Sequence, residues 1–484
     1  MSKGKRAAEN SQTKRMLNIP FTILAVIFLI ITIMFCGSIL KLNLLPNNYL
    51  AVLIALEVVI TSLIIVGLAK NHRTYKLNIL CLLLAILLSS GYIYANINLK
   101  ATDEFMDNMF SEVTETEDYY VVVRNNSKIN KIEDLKNEKL YVFNVEEDVK
   151  EDIDSKVKVK YTPVDSLKEL GEDLISKRED AILISFSQYD MLSDEIKDFK
   201  TDTKIIYTAT HKINKVVESV KEEQSKYNID DGIFNIYISG IDTSGRIGNV
   251  GRSDANIIAT VNTKTHEVLL TSIPRDYYVK LHSKKALDKL THSGIYGINE
   301  TVSTVEDIFG IEINYYVRVN FNTVIKLVDV LGGVDVHSDY NFNAQGYHFN
   351  KGTNHVNGQQ ALAFSRERYS FSGGDNQRVK NQQYVINAIM KKAMSTTILT
   401  KYTSILNSLQ GSFQTNIDQN EISKLVKMQL KDMPQWTFKN NAVTGTGATK
   451  TTYSAGSQPL YVMIPNNSSV NNAKTKIMQV LNEE

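Results

Sequence analysis

The residues that could do chemistry are arginines and aspartates, and they fall at the ends of predicted strands. Asp242 closes one strand in Ile241-Asp242-Thr243, and Arg252-Ser253-Asp254 immediately precedes the next. Pro274-Arg275-Asp276 follows the third, and Arg366 and Arg368 follow the apolar stretch 361–365. Strand ends on one side of an α/β sheet are where ligand sites form. A guanidinium fork matches phosphate oxygens two at a time. A pair of aspartates can hold a magnesium ion that keeps its other positions for water and phosphate oxygens. Taken singly, each residue reads as a turn cap or a solvated ion pair. Taken together they read as a pyrophosphate–metal site. There is no P-loop, no Gly-x-Ser-x-Gly elbow and no His-Glu-x-x-His, which argues against a nucleotide kinase, a serine hydrolase and a zinc protease.

The elements that must position these residues follow from hydrophobic pattern. Runs 233–241 and 255–262 are apolar and β-branched, hence buried strands, and 266–273 is a third strand after the turn 262–265. Segments 300–309, 321–331 and 377–393 have helical spacing; Gly332-Gly333 stops the second and a strand follows at 334–336. A last strand is expected at 460–465 and a last helix at 468–481, with 440–458, rich in Ser, Thr, Gly and Asn, as a long surface loop. This is an α/β domain over 231–484. Upstream, 119–124, 139–143 and 181–185 read as strands, and 132–136, 164–177 and 187–198 as helical. They predict a small α/β accessory domain within 99–230. It shows no acid–arginine cluster, so it is expected to be a spacer that the chemistry does not need. The stretch 101–118, with seven acids and no base, reads as a solvated connector, and 211–231 as a charged, helical linker.

Residues 1–98 read as a cytoplasmic tail and three transmembrane helices, from apolar runs at 21–40, 49–69 and 77–95. Each is about 30 Å long as a helix, the thickness of the bilayer's hydrocarbon core. A signal peptide would have a shorter apolar core and no further spans. Lys3, Lys5, Arg6, Lys14 and Arg15 in the tail and Lys70, Arg73 and Lys76 in the second loop face Lys41 alone in the first loop. The positive-inside rule then places the N-terminus in the cytoplasm and everything after about residue 96 outside. Glu57, near the middle of the second run, is expected to be a carboxyl hydrogen-bonded to a neighbouring helix through Ser62, Ser89 or Ser90.

The 484 residues exceed what one ordinary domain needs, and 54 Lys+Arg against 53 Asp+Glu give a net charge of +1. That balance gives no support to a nucleic-acid binder. With 43% hydrophobic and 22% charged residues, wholesale disorder is excluded. Cys36 and Cys81, the two cysteines, both lie in the apolar N-terminal third. An exterior free of cysteine fits a Gram-positive cell surface.

Residues 232–395 resemble the LytR-CpsA-Psr family of cell-wall ligases. The matching motifs are Gly240-Ile241-Asp242, Arg252-Ser253-Asp254, Ser272-Ile273-Pro274-Arg275-Asp276, Lys289 with His292, Tyr296-Gly297 and Leu331-Gly332-Gly333-Val334. Asn357-Gly358-Gln360-Ala361-Leu362 leads to Arg366 and Arg368, and Gly374-Asp375, Arg378 and Gln382-Gln383 continue the pattern. Three N-terminal spans and an accessory domain resemble the CpsA capsule branch. The resemblance implies transfer of a glycopolymer, expected to be capsular polysaccharide, from undecaprenyl pyrophosphate to a peptidoglycan hydroxyl, typically carbon 6 of N-acetylmuramic acid, releasing undecaprenyl phosphate. It implies Mg2+, or Mn2+, on Asp242 and Asp254, and pyrophosphate contacts from Arg252, Arg275, Lys289, Arg366, Arg368 and Gln382. It also implies an apolar pocket for the polyprenyl tail, which the pattern lines with Ile257, Ile258, Leu269, Val324 and Leu327. Family members often carry Arg at the positions of Lys380 and Asn381, and Arg246 and Arg378 could substitute. No covalent nucleophile is required, and either aspartate could serve as base. The alternatives are a polyprenyl pyrophosphatase, with water as acceptor, and a non-enzymatic regulator or scaffold that docks capsule export proteins.

Overall fold

A computed structural model describes residues 2–69, 76–109, 116–212, 228–241, 248, 250–393, 404–405 and 413–482. It divides into two compact units, residues 1–108 with 418–434, and residues 109–417 with 435–484.

The first unit holds three helices long and apolar enough to cross a membrane: α1 (Ser2–Leu42), α2 (Asn47–Ala69) and α3 (Lys76–Met109). The acidic connector expected after residue 100 starts as the last turns of α3, where Lys41 pairs with Asp103. Glu57 is buried, and its partner is not one of the three serines: the Tyr92 hydroxyl of α3 donates to it at 2.5 Å. Tyr92 reaches across because its ring stacks on Phe35 of α1, with centroids 4.7 Å apart. Helix Gln419–Asp432 belongs to this unit; Lys427 donates to Asn43 at 2.7 Å and the Tyr49 hydroxyl to the Lys431 carbonyl at 3.1 Å.

The second unit carries two sheets. The smaller has the order β3-β2-β4-β1-β5, from β1 (Thr116–Arg124), β2 (Lys139–Val142), β3 (Lys160–Pro163), β4 (Ala181–Ser185) and β5 (Thr203–Lys212). Helices α4 (Glu147–Lys156), α5 (Leu167–Ile175) and α6 (Phe186–Glu195) connect and cover them. β3, β5 and α4 escape the hydrophobic pattern because Lys and Thr alternate along partly exposed edge strands and α4 buries only Val149 and Ile153. His211 and Lys212 end β5 instead of opening a helical linker; 213–227 lie outside the described residues.

The larger sheet has six strands, ordered Phe413–Thr415, Tyr315–Asn320, β6 (Ile233–Ile241), β7 (Ser253–Asn262), β8 (Glu267–Ile273) and Thr437–Ala442. β6, β7 and β8 pair antiparallel in sequence, and the outer neighbours Tyr315–Asn320 and Thr437–Ala442 run parallel to β6 and β8. Helices Ile298–Phe309 and Asn467–Asn482 close one face around Tyr237, Ile258, Leu269 and Ile273. Helix Asp375–Ala393 covers the other, where Gln383 donates to the Ser272 hydroxyl and the Asn441 carbonyl at 2.8 and 2.6 Å. Beyond it, helix Phe321–Leu331 starts on the Asn320 cap and stops at Gly332 and Gly333, whose φ values of 80° and 85° favour glycine.

Segment 440–458 is not a surface loop. It completes Thr437–Ala442 and forms a hairpin of Gly445–Thr452 with Gly456–Pro465. Its residue types read as loop because both strands are largely exposed.

Candidate active site

β7 starts at the site. A register shift between Gly240 and Ile241 pairs Ile241 with Ser253, so β6 ends beside the residues flanking Arg252 and Asp254. Arg275 follows the end of β8, the antiparallel neighbour of β7. Its Nη1 donates to Asp254 Oδ2 at 3.0 Å, and the Thr291 hydroxyl donates to Asp254 Oδ1 at 2.8 Å. Burial alone would raise the Asp254 pKa, but Arg275, Arg252 and Arg378, with the Thr291 hydrogen bond, hold the carboxyl well below the usual carboxylate range. Asp276 turns the other way: it receives Lys289 Nζ at 3.2 Å, with Arg275 Nε at 3.7 Å.

A cavity of about 300 Å³ opens here. Arg252, Arg275, Asp276, Lys289, Thr291, His292 and Arg368 line one side. The structure therefore brings together Arg252, Asp254, Arg275, Lys289 and Arg368 of the residues expected from the sequence. Arg366 is exposed at the end of helix Gly358–Arg366, and Gln382 is half-buried; neither lines this cavity. Asp242 and Arg246 lie outside the described residues. Arg378, buried on helix Asp375–Ala393, lies near enough to Asp254 to lower its pKa. Behind the wall, buried Asp288 holds His292 Nδ1 at 2.6 Å and the Ser454 amide at 2.8 Å.

The other side of the cavity comes from the accessory domain and the C-terminal hairpin, through Leu167, Lys168, Met191, Leu192, Asp194, Glu195, Gln458 and Tyr461. Arg252 Nη1 donates to Asp194 Oδ2 at 2.8 Å and Nη2 to Asp190 Oδ2 at 2.5 Å. Burial opposes the charge of Arg252, but Asp254, Asp190 and Asp194 outweigh it and raise the pKa. The expectation of a spacer without a part in the site is corrected by these contacts. Asp190 and Asp194 share one face of α6 at the i,i+4 spacing, a signal that is ordinary on solvated helices.

The five residues proposed for a tail pocket do not line one cavity. Ile258 and Leu269 belong to the core under helix Asn467–Asn482, while Val324 and Leu327 pack in the cluster around Val328 and Phe364. Strand alternation sends Ile257 and Ile258 to opposite faces.

Among the described residues, no group of three or more His, Cys, Asp or Glu converges as a metal cluster. Asp254 still suits one hard-cation ligand position, because its neighbouring arginines keep it ionised. Chemically, the arrangement gathers guanidiniums around buried Asp254 and an ammonium on neighbouring Asp276, a setting for holding phosphate oxygens.

A mixed α/β domain with arginines at its strand ends defines a class that comparison with known proteins identifies. The LytR_cpsA_psr family model matches residues 200–476, more than half of the chain, and the chain belongs to that family. Its relatives include the polyisoprenyl-teichoic acid–peptidoglycan teichoic acid transferase TagU of Bacillus anthracis, 34% identical over 226 residues that cover 46% of this chain and 74% of TagU. TagU of Bacillus licheniformis is 33% identical over 232 residues, covering 45% and 75%. The crystal structure of B. subtilis TagU is 29% identical with a TM-score of 0.41, covering 52% of this chain and 98% of that one.

Proposed function

We propose that this protein transfers a glycopolymer from a polyprenyl pyrophosphate carrier to a hydroxyl of peptidoglycan on the outer side of the membrane. The observation that carries the reading is the Arg275–Asp254–Thr291 cluster beside Arg252, Arg378, Lys289 and Arg368, at one cavity of a family whose named relatives are transferases of this kind. The acceptor oxygen attacks the phosphorus that bears the glycan. The bond to the bridging oxygen breaks, polyprenyl phosphate leaves with the electron pair, and the hydroxyl proton passes to a base or to water. Arginine and lysine donors neutralise the non-bridging oxygens as charge shifts onto them. Asp254, held far below its ordinary pKa, is a poor base at neutral pH and suits holding these cations instead.

Mg2+ or Mn2+ belongs to the proposal, with Asp254 and Asp242 as its ligands; a bound divalent ion would supply further neutralisation of the phosphate oxygens. Two contacts support the orientation: Lys427 with Asn43, and Tyr49 with Lys431, set a helix of the C-terminal part against the loop between the first two spans. That loop is outside if the basic tail and second loop are inside. For the polymer we propose capsular polysaccharide, on the three-span and accessory-domain architecture that resembles the CpsA branch.

The test incubates the full chain in detergent with magnesium, peptidoglycan and either lipid-linked capsular oligosaccharide or lipid-linked teichoic acid, and identifies products by mass spectrometry. The expected product is phosphoglycan joined to peptidoglycan from the capsular donor, lost with a chelator and restored by magnesium. Glycan phosphate released to water alone would make the protein a pyrophosphatase. Turnover of the teichoic acid donor alone would reassign the polymer.

A further inference from the structure

Arg252 is the site residue whose terminal nitrogens are bound from outside the catalytic domain. Among the described residues, both of its terminal-nitrogen hydrogen bonds go to the accessory helix α6, to Asp190 and Asp194, and the buried Nε has no hydrogen-bond partner. A guanidinium has five N–H donors, and among the described residues each terminal nitrogen keeps one that these two bonds do not use. The accessory domain is also fixed in place. Leu167, Leu170, Met191 and Leu192 share a buried apolar cluster with Ala455 and Leu460 of the C-terminal hairpin. At the edge of β1, the Thr116 amide donates to the Gly248 carbonyl at 3.0 Å and the Val250 amide to the Thr116 carbonyl at 2.8 Å. These bonds pin the segment that runs into Arg252.

We propose that Asp190 and Asp194 are positioning residues for the donor pyrophosphate, holding Arg252 so that the second N–H of each terminal nitrogen serves the phosphate oxygens. This rests on the transferase reading above. Loose arginine side chains lose rotamer entropy when they bind; one held by two carboxylates on a docked helix has already lost it. The accessory domain then supplies part of the anion site instead of acting as a spacer. Asp190 carries most of this role, because its side chain is 14% exposed against 52% for Asp194.

The opposite arrangement, in which the carboxylates compete with phosphate for Arg252, predicts the opposite sign, and one titration separates the two. Inorganic pyrophosphate is titrated calorimetrically into the full chain in detergent with magnesium present, with a thermal melt of each variant. The Asp190→Ala/Asp194→Ala pair should weaken binding about tenfold, as loss of one preorganised contact does. The Asp190→Asn/Asp194→Asn pair keeps an oxygen acceptor at each place and should recover most of that loss. Glu151→Gln, exposed on α4 of the same domain and not on the cavity wall, should bind like the wild type. If the double Ala variant does not fold, Asp194→Ala alone should still weaken binding about threefold. Equal or tighter binding by the Ala variants, or an Asn pair no better than the Ala pair, overturns the proposal while leaving the transferase reading intact. A wild-type protein that does not bind pyrophosphate at all overturns both.

Discussion

Arg275 Nη1 donates to Asp254 Oδ2 at 3.0 Å across the ends of two antiparallel neighbours, with the two side chains 12% and 9% exposed. Asp254 is the common counter-charge of Arg275, Arg252 and Arg378. Asp254→Asn keeps the shape and removes the charge that Arg275 pairs with and that Arg252 and Arg378 feel. Removing one partner of a buried ion pair costs about 3–5 kcal/mol, and loss of one electrostatic stabiliser costs about 10²–10³ in rate. The expected outcome is a lower melting temperature together with that loss of turnover. An unchanged melt and rate would remove Asp254 from the site.

Glu117 on β1 is buried, opposite His211 in register and within 3.3 Å of the Tyr119 hydroxyl. Burial pushes its pKa up to about 7, against partial opposition from Ser185, Tyr119 and His211. An acid whose folded pKa is raised binds more protons when folded. Its contribution to stability is therefore full below the unfolded value and is lost as pH rises from about 4.5 to about 7. Two to three pKa units correspond to about 3 kcal/mol. Glu117→Gln should remove that decline from melts taken between pH 5 and 8. A slope identical to the wild type's would show that the carboxyl titrates normally.

Much of this frame was legible from pattern. β6 and helix Phe321–Leu331 have the residues expected of them, because each buries a continuous apolar face and ends at a recognisable signal, Asp242 or Gly332-Gly333. Arg252, Asp254 and Arg275 could be singled out because they gather at the ends of neighbouring strands, although each alone reads as a turn cap or an ion pair. What pattern hides is the partner. Nothing in Phe186–Glu195 separates Asp190 and Asp194 from the exposed charges of any amphipathic helix; only tertiary contact with Arg252 does. The strands Thr437–Ala442 and Gly445–Thr452 are hidden for a related reason. Their Lys, Asn, Thr and Gly side chains face solvent, and their conformation comes from the backbones of β8 and Gly456–Pro465.

Asp288 is fully buried and accepts from His292 Nδ1 at 2.6 Å and from the Ser454 amide and hydroxyl at 2.8 and 2.5 Å. Burial would raise its pKa, but His292, Ser454 and the Lys289 amide lower it below the ordinary value. The carboxylate fixes the ring that lines the cavity and ties it to the turn Tyr453–Ala455. Asp288→Asn turns an N–H₂ toward one of these donors, and an unsatisfied buried donor costs about 1–3 kcal/mol. Ser454→Ala removes two hydroxyl bonds, to Asp288 and to the Tyr296 hydroxyl, and should cost about 1–3 kcal/mol. The melts of the two variants and their double should be non-additive, because both act on one carboxylate. Simple addition of the two losses would separate Ser454 from the His292 network.

Gly294 sits where the turn after Thr291 crosses the chain entering β7. Its φ of −64° suits any residue, so conformation does not require glycine there. Space does: a Cβ would lie 2.5 Å from the Gly251 carbonyl oxygen and 2.9 Å from the Ser253 amide nitrogen. Both are backbone atoms on either side of Arg252, and backbone paired into a sheet yields only by moving the strand. Gly294→Ala therefore shifts Arg252 and Asp254 relative to Arg275. Overpacking of this kind costs about 1–3 kcal/mol, and a displacement near 1 Å costs about 10² in rate. Gly91→Ala is the comparison, since a Cβ there meets nothing within 4 Å. The expected result is a modest fall in melting temperature with a disproportionate loss of turnover for Gly294→Ala, and neither for Gly91→Ala. Equal turnover in the two variants would mean that the start of β7 can move without disturbing the site.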